Sequence, residues 1–439
     1  MTPAPADSRK IPHLRWYIAV LLCLASELNY LDRQALSVLA TQIQKDVGFT
    51  DAQYGQITSA FLMSYSIMYL VSGRILDVIG TRRGYLYFVA AWSVAAMSHA
   101  FARTPFHFQL ARFALGASEA AVIPGGVKAA TEWFPVRERA LAVGIFNAGT
   151  ALGSTLAVPL IGAISLYFGW RAAFIFSGAL GLLWLPLWWW LYHKPEDHRH
   201  ITAEERALIT ADRTLSESQP PPPMRVLMRM KETWGCVAAR VLTDPISYLL
   251  NFWVLKYLED TFAIPRTTLL AVGWLPYAAL ATGNIASGVI PRYLVTSIGM
   301  TVNRARKLTT FTVSATALVL FLALARIDSI APYAATIGLD ITTLALICVT
   351  LAMFCHGAWG NVILPAEVFP ARAVGSVTGL GGLLGSVAGV ITQRMIGHVV
   401  EGAGYAPVFL ACASAYLVAF FLVVVLVGEL GRIREIPNA

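Results

Sequence analysis

The segment Glu132-Trp-Phe-Pro-Val-Arg137 returns later in the chain as Glu367-Val-Phe-Pro-Ala-Arg372, so that glutamate, phenylalanine, proline and arginine recur at a constant offset of 235 residues. The same offset relates four further pairs of identical residues: Gly144 and Gly379, Gly162 and Gly397, Gly169 and Gly404, and Phe174 and Phe409. An offset that holds through two helices and two loops indicates an internal repeat. The sequence therefore predicts two halves of similar structure.

The composition excludes a soluble globular protein. Of the 439 residues, 57% are hydrophobic and 13% are charged, and this charged share is about half of what soluble domains carry. The formal net charge is +8. The lysines and arginines collect in short loops between apolar runs, which is typical of a membrane protein and does not indicate a nucleic-acid partner. We therefore expect most of the chain to face the lipid bilayer or other apolar helices.

Twelve runs of mostly apolar residues are long enough to cross a bilayer, which takes about 20 residues. They lie near residues 15–39, 52–76, 84–102, 106–132, 139–166, 170–192, 236–262, 267–294, 306–326, 334–364, 372–398 and 404–428. The sequence thus predicts an all-α integral membrane protein with 12 transmembrane helices in two pseudo-symmetric six-helix bundles, at residues 1–192 and 236–439. The polar stretch 193–235 is predicted to be a cytoplasmic linker, in which Thr202-Ala-Glu-Glu205 fits a capping box at the start of a helix.

The distribution of positive charge predicts the orientation. Most lysines and arginines fall in the N-terminal tail, the even-numbered loops and the C-terminal tail of this twelve-span scheme, and few fall in the odd-numbered loops. Loops rich in lysine and arginine stay on the cytoplasmic side. Both termini are therefore predicted to be cytoplasmic, in a multi-pass membrane protein.

No motif for covalent, metal or nucleotide chemistry is present in the sequence. The patterns HExxH, GxSxG and the phosphate-binding P-loop are absent, and the five cysteines form no CxxC pair. The sequence therefore predicts neither an enzyme nor a protein with a catalytic residue, a metal or a cofactor. Two parallel halves are instead typical of secondary transporters, whose substrate site lies between the halves near the middle of the membrane.

Charged residues inside predicted spans are costly and usually functional. Arg112 and Glu119 are seven residues apart and therefore share one helical face. The 235-residue offset maps them onto uncharged residues, which favours a function over a structural ion pair. Asp32 and Arg33 are adjacent in the first span and point in different directions. Arg33 can hold an anion, because a guanidinium offers two parallel N–H donors to a carboxylate.

The loop after the second span, Gly73-Arg-Ile-Leu-Asp77-Val-Ile-Gly80-Thr-Arg82-Arg83, resembles the loop signature of the major facilitator superfamily, with Thr81 where that signature usually has arginine. The resemblance implies the fold of that superfamily. It also implies that Gly73, Asp77, Gly80 and Arg82 form a latch that holds one conformation until the halves rock.

Other stretches resemble the anion:cation symporter family within that superfamily. Asn29-Tyr-Leu-Asp-Arg33 and Arg112-Phe-Ala-Leu-Gly-Ala-Ser-Glu119 are similar to its first and fourth spans. Two further stretches, Asp244–Leu258 and His356–Asn361, look most like those of bacterial hexuronate carriers. The resemblance covers nearly the whole chain and implies transport of an organic anion across a bacterial inner membrane.

The resemblance also implies roles in the first half. Arg33 would bind the anion, with Arg112 and Glu119 in the polar network coupled to it. Glu119 is the favoured proton carrier, and Asp32 is a second proton site. Tyr65 would contact substrate hydroxyls. The alternative for Tyr65 is an aromatic packing stripe with Tyr69, four residues further along the second span.

Four candidate binding residues lie in the second half. Lys256 could clamp the anion from the side opposite Arg33, or could extend its side chain outward to the membrane surface. His356 could contact the substrate, or could hydrogen-bond to a neighbouring helix. Trp359 and Asn361 are candidate contacts for a sugar.

These observations predict a monomeric, proton-coupled symporter that imports a small organic anion, with a hexuronate as the first candidate and protons as the co-substrate. One alternative is a symporter of the same family for an aldonate, a glucarate-like diacid or an aromatic acid. The other is an antiporter of the organophosphate type, which does not need a titrating carboxylate such as Asp32 or Glu119.

Overall fold

A computed structural model of the protein describes residues 10–211, 222–431 and 433–436. Within these residues the regular structure is entirely helical. The helices up to the linker are α1 (Leu14–Val47), α2 (Asp51–Ile79), α3 (Thr81–Ser98), α4 (Pro105–Glu119), α5 (Val122–Trp133), α6 (Val136–Leu191), α7 (Ala203–Ala211) and α8 (Met224–Leu227). Those that follow are α9 (Lys231–Phe262), α10 (Arg266–Val272), α11 (Leu275–Thr296), α12 (Val302–Ala325), α13 (Ile327–Ala335), α14 (Ile341–Trp359), α15 (Leu364–Val368), α16 (Ala371–Ala403) and α17 (Ala406–Leu426).

The helices account for the twelve predicted spans. Eight helical stretches of the described chain are long and apolar enough to cross a membrane. One of them, α6, has 56 residues and departs from helical geometry at Gly169, so it supplies two spans. These eight stretches thus supply nine of the twelve spans. The remaining three spans are the 18-residue α3, the interrupted pair α4 and α5, and α9, which contains several charged residues. The prediction of an all-helical membrane protein with 12 spans is confirmed.

Glycines at matching positions of the repeat make the same bends. Gly169 has φ 83° and Gly404 has φ 72°, so both adopt a conformation that L side chains rarely accept. Gly162 and Gly397 precede these bends by seven residues each. A Cβ on Gly162 would collide with the side chain of Leu270, and a Cβ on Gly397 would collide with the backbone of the opposite half. The repeated glycines therefore let helices of the two halves pack closely together.

Polar contacts join the halves at the end of the molecule that carries residues 48–50, which we call the loop-48 end. Ser37 of α1 donates its hydroxyl to the backbone carbonyl of Asn251 in α9 at 2.9 Å. The Ala52 N–H at the start of α2 donates to the Glu401 carboxylate near the end of α16 at 2.9 Å. At the start of α2, the Thr50 hydroxyl accepts the Gln53 N–H in a capping box. The two halves are therefore closed against each other at the loop-48 end.

The short helix α7 lies inside the stretch predicted as the linker and docks onto the start of α1. Its first turn is capped as expected, because the Thr202 hydroxyl accepts the Glu205 N–H at 3.2 Å. The Glu205 carboxylate accepts the backbone N–H groups of Leu14 and Arg15 and pairs with the Arg15 guanidinium at 2.8 Å. Burial lowers the pKa of His198, whose Nε2 lies 2.9 Å from the Leu191 carbonyl. The first part of the linker is thus anchored to the first half.

Candidate functional site

Arg33 occupies the centre of a polar cluster in the first half. Its Nε donates to the Glu119 carboxylate at 3.0 Å, and its Nη2 donates to the Asn29 side chain one turn earlier at 3.2 Å. The guanidinium carbon lies 4.3 Å from the ring centre of Tyr30 and 4.9 Å from that of Tyr65. The Arg33 side chain keeps 11% of its surface exposed, whereas Glu119 is fully buried. Arg33 is therefore the member of this ion pair that an anion can reach.

Arg112 lies behind Arg33. Its Nη1 donates to the backbone carbonyl of Arg33 at 3.1 Å, and only 1% of Arg112 is exposed. The close approach of α4 to α2 depends on Gly116, because a Cβ there would collide with the Phe61 carbonyl. Within the described chain, Arg112 Nε and the second oxygen of Glu119 have no hydrogen-bond partner. The structure thus brings Arg33, Arg112 and Glu119 together, and Arg112 bonds to the backbone of Arg33.

Asp32 is buried close to this ion pair. It is 1% exposed, and neither of its carboxylate oxygens meets hydrogen-bond geometry with a residue that the structure describes. The Ser177 hydroxyl of α6 is beside it, and the charges of Glu119 and Arg112 lie within electrostatic range. Asp32 is thus a buried carboxylate next to Glu119, Arg112 and the Ser177 hydroxyl.

A second ion pair lies in the second half, and sequence reasoning missed it. Arg240 donates to Asp244 at 2.7 Å within α9. The Asn361 amide, just after α14, donates to the same carboxylate at 2.9 Å and to the Thr243 hydroxyl at 2.7 Å. Arg240 packs against Gly381 of α16. The available signal was the four-residue spacing of Arg240 and Asp244, which favours an ion pair on one helical face.

Partly exposed tyrosines lie between the two arginines. Tyr65 and Tyr69 of α2 stack with ring centres 5.9 Å apart. Tyr248 of α9 is within electrostatic range of both Arg33 and Arg240, and its hydroxyl is 3.2 Å from that of Ser386. Tyr69 is also within electrostatic range of Arg240. Hydroxyls from both halves and a guanidinium from each half therefore face a common region.

Lys256 lies at the loop-48 end, two helical turns beyond Tyr248 on α9. It is 2% exposed, its Nζ is 2.8 Å from the Asp51 carboxylate of the first half, and it also contacts Asp260 one turn later in α9. Tyr54 strengthens the same junction by donating its hydroxyl to the Phe252 carbonyl at 2.7 Å. Lys256 is thus paired with two carboxylates of the protein itself, and its ion pair with Asp51 connects the two halves.

His356 and Trp359 bond to neighbouring helices of the second half. His356 Nδ1 lies 2.8 Å from the Tyr416 hydroxyl of α17, which is the hydrogen-bonded alternative that the sequence left open. Trp359 Nε1 donates to the Ser314 hydroxyl of α12 at 2.9 Å and is 6% exposed. Asn361 instead bonds to the Arg240–Asp244 ion pair of the second half.

The loop motif between α2 and α3 ties together helix ends of the first half. Asp77 pairs with Lys128 of α5 at 2.5 Å. Gly80 has φ 80°, which makes the turn into α3. Arg82 donates to the backbone carbonyl of Trp189 at 2.6 Å, and its guanidinium carbon lies 3.9 Å from the centre of the Trp189 ring. Gly73 has open space around it in α2.

The remaining sequence expectations concern metals and cysteines. No group of histidine, cysteine, aspartate or glutamate side chains in the described ranges is arranged to hold a metal ion. The five cysteines are free thiols.

Comparison with known proteins places the chain in a family. Residues 22–393 match the profile of the Major Facilitator Superfamily. The chain belongs to the major facilitator superfamily. Two solved structures of the superfamily fold are similar over almost the whole chain. The D-xylose–proton symporter has a TM-score of 0.70 at 14% identity, covering 93% of this chain and 97% of that one. A bacterial homologue of the human lysosomal transporter Spinster has a TM-score of 0.68 at 16% identity, covering 94% and 95%.

Several relatives are named as sugar-acid transporters. The hexuronate transporter of Escherichia coli K12 is 31% identical over 411 residues, which cover 92% of this chain and 92% of that protein. The galacturonate transporter of Dickeya chrysanthemi is 33% identical over 286 residues, covering 64% and 83%. A probable galactarate/D-glucarate transporter of Escherichia coli K12 is 26% identical over 451 residues, covering 98% of each. The chain is thus a multi-pass membrane transporter and not an enzyme, and its predicted resemblance to hexuronate transporters is confirmed.

Proposed function

We propose that this major facilitator transporter is a proton-coupled symporter that imports a sugar acid by alternating access, with galacturonate or glucuronate as the first candidate substrate. The names of its relatives support the substrate class. The observation that carries the coupling is the ion pair between Arg33, which is partly exposed, and Glu119, which is fully buried, at 3.0 Å. Substrate and proton would act on the two members of this one pair.

The coupling follows from exchange of partners at Arg33. A substrate carboxylate accepts two parallel N–H bonds from the guanidinium, which weakens the bond from Arg33 to Glu119. A buried carboxylate that loses its cation is destabilised by about 3–5 kcal/mol. Glu119 then takes up a proton, so that binding of the anion and binding of the proton favour each other. Release of the substrate restores the ion pair and expels the proton.

Asp32 is the proposed second proton site. It is buried beside the Ser177 hydroxyl and lies within electrostatic range of Glu119. If two protons accompany one monovalent anion, each cycle carries net positive charge inward. The membrane potential would then contribute about 2.3 kcal/mol per charge per 100 mV.

The other candidate residues receive narrower roles. Tyr65 would contact substrate hydroxyls next to Arg33. Asn361, which bonds to Asp244, would form part of the wall that the second half contributes to the substrate site. Arg112 would position Arg33 through its backbone carbonyl. His356 and Trp359 would support this wall without lining it, since both bond to neighbouring helices of the second half.

In the proposed orientation both termini are cytoplasmic, so that the loop-48 end faces the periplasm and is the closed end of the molecule. The ion pair of Lys256 with Asp51 would hold this end shut, and the loop motif with Asp77 and Arg82 would hold helices of the first half at the other end. We propose that a monomer carries out the whole cycle, with residues 1–192 and 236–439 as the two rocking bodies.

Uptake into proteoliposomes tests this function. Purified protein in empty vesicles should accumulate labelled galacturonate when an inward proton gradient is imposed, and galactonate, galactarate and a hexose phosphate should compete less well. Accumulation into empty vesicles would exclude obligatory exchange, and with it the organophosphate-type antiporter. Uptake that ignores both the pH gradient and the membrane potential would reject proton coupling.

A further inference from the structure

A crevice on the outer surface of the helical bundle crosses the boundary between the two halves. Its first wall comes from α2, with Gln56 and Met63, and from α4, with Gln109 and Phe113. Its second wall comes from α16, with Arg394 and His398. Its lining shares no residue with the cluster around Arg33 and the tyrosines, so it is separate from the proposed substrate site.

Arg394 is an exposed cation on a membrane-spanning helix. It lies nine residues before the end of the 33-residue α16. At 1.5 Å per residue this helix is about 50 Å long, whereas the apolar core of a bilayer is about 30 Å thick. If α16 is centred in the bilayer, Arg394 lies just inside the edge of the apolar core, within reach of the headgroups for a long side chain.

The protein satisfies one N–H of this guanidinium and leaves its charge unpaired. Arg394 Nε donates to the Ser59 hydroxyl of the first half at 3.1 Å. In the part of the chain that the structure describes, no carboxylate lies within ion-pair distance of Arg394. A lipid-facing charge at this depth is costly without an anionic partner. An anion from outside the protein can therefore pair with the exposed guanidinium of Arg394.

The remaining groups of the crevice fit an amphipathic anion. His398 is one helical turn beyond Arg394 on the same face and nearer to the loop-48 end, and it offers a ring N–H. The side-chain amides of Gln56 and Gln109 bond to each other at 3.2 Å, beside the same rim. Met63 and Phe113 lie deeper in the membrane, because α2 and α4 both begin at the loop-48 end. Polar groups at the rim and apolar groups below it match a headgroup with its acyl chains.

We propose that this crevice binds one anionic phospholipid, with the phosphate paired to Arg394 and His398 and the acyl chains lying against Met63 and Phe113. The lipid would join α2 and α4 of the first half to α16 of the second half. Because these helices approach each other where the halves are closed, the lipid stabilises the conformation with the loop-48 end shut. Rocking of the halves would widen the crevice and weaken lipid binding.

Lipid binding to the purified, delipidated full-length protein tests the proposal. The probes are phosphatidylglycerol and phosphatidylcholine with identical acyl chains, and native mass spectrometry counts the bound lipids. One phosphatidylglycerol should bind tightly, phosphatidylcholine should bind about tenfold or more weakly, and Arg394→Gln should lose about tenfold or more in affinity for phosphatidylglycerol. Millimolar inorganic phosphate should not displace the lipid.

Two variants separate this effect from general damage. Arg394→Lys keeps the charge and should retain most of the affinity, whereas Arg292→Gln removes an exposed arginine of α11 and should leave phosphatidylglycerol binding unchanged. Equal binding of the two lipids, or equal affinity in wild type and Arg394→Gln, would overturn the proposal. Loss of binding in Arg292→Gln as well would show a diffuse surface attraction and would also overturn it. None of these results depends on the identity of the transported substrate.

Discussion

Each half of the transporter holds an arginine against a carboxylate near the interface between the halves, but the two ion pairs are built differently. Arg33 and Glu119 come from α1 and α4 and are 86 residues apart in sequence. Arg240 and Asp244 are four residues apart on α9. A pair between two helices can be separated by a substrate, whereas a pair on one helical face is maintained by the helix itself.

This difference leads us to expect that the two halves bind different ends of the substrate. The charge of Arg240 is balanced by Asp244, which the Asn361 amide also holds at 2.9 Å. A balanced pair can hydrogen-bond to neutral hydroxyls but attracts a second carboxylate weakly. We therefore expect the first half to bind the carboxylate and the second half to contact the neutral end of a monocarboxylate sugar acid.

The largest effect is expected for Arg33→Ala. It removes two charge-assisted hydrogen bonds, each worth about 1.5–3 kcal/mol, so the affinity for galacturonate should fall by about 100-fold or more and transport should stop. Isothermal titration calorimetry measures the affinity. The matched control is Arg240→Ala, which removes the other guanidinium and should cost about tenfold. Equal losses in the two variants would contradict the division of roles between the halves.

Glu119→Gln should separate coupling from binding. The glutamine keeps the shape of the side chain but cannot take up a proton, so accumulation driven by a pH gradient should stop while exchange of labelled for unlabelled substrate continues. Both are measured in the same proteoliposomes. Asp244→Asn, the corresponding change in the second half, should retain gradient-driven accumulation. Survival of accumulation in Glu119→Gln would show that another group carries the proton.

Asp244→Asn should change selectivity. Without its carboxylate, the charge of Arg240 becomes available to a second carboxylate of the substrate. The affinity for galactarate relative to galacturonate should then rise about tenfold or more, which corresponds to about 1.4 kcal/mol. Competition for galacturonate uptake measures the ratio, and Thr243→Ser serves as a control that keeps the ion pair. An unchanged ratio would mean that Arg240 does not contact the substrate.

The sequence predicts the fold and the first-half pair better than the second-half pair, for physical reasons. Twelve apolar runs and a repeat with matching glycines are enough to specify two bundles, and Gly169 and Gly404 do adopt matching bends. Arg33 and Glu119 are conspicuous because they lie in the middle of apolar runs. Arg240 lies near the start of the seventh span, where a cation is expected to reach the membrane surface, so its inward direction could not be inferred.

Lys256 shows a different limit of sequence reasoning. Its partner Asp51 is about 200 residues away in the other half, and no spacing or periodicity connects the two. The sequence therefore left open whether Lys256 binds substrate or extends outward, and the structure instead shows an ion pair between the halves. The 235-residue repeat relates equivalent helices, but it does not report which residues of different halves meet.

Lys256→Met should loosen the loop-48 end. The change leaves Asp51 and Asp260 facing each other without a cation, so the closed state should lose population. Spin labels at the exposed positions Lys45 and Thr261 would report a longer distance by double electron–electron resonance. Asp51→Asn in the Lys256→Met background removes the charge repulsion between positions 51 and 260 and should shorten the distance again. An unchanged distance distribution would remove Lys256 from the closing mechanism.

The smallest effect is expected for Thr81→Val. The Thr81 hydroxyl donates to the Glu132 carboxylate at 2.7 Å, whereas the repeat-related Glu367 forms an ion pair with Arg306. Loss of a hydrogen bond from a hydroxyl to a carboxylate costs about 1.5–3 kcal/mol. Loss of a partly buried cation should cost more, so thermal unfolding in detergent should show a smaller decrease in melting temperature for Thr81→Val than for Arg306→Met.

A second measurement on Thr81→Val and Arg306→Met is the dependence of their thermal stability on salt concentration. Added salt weakens the attraction between charges and has little effect on a bond from a hydroxyl group. The destabilisation caused by Arg306→Met should therefore shrink between low and high ionic strength, while that caused by Thr81→Val should stay constant. If both variants respond equally to salt, the two halves are latched by the same kind of interaction, and their asymmetry is confined to the arginine pairs at the interface.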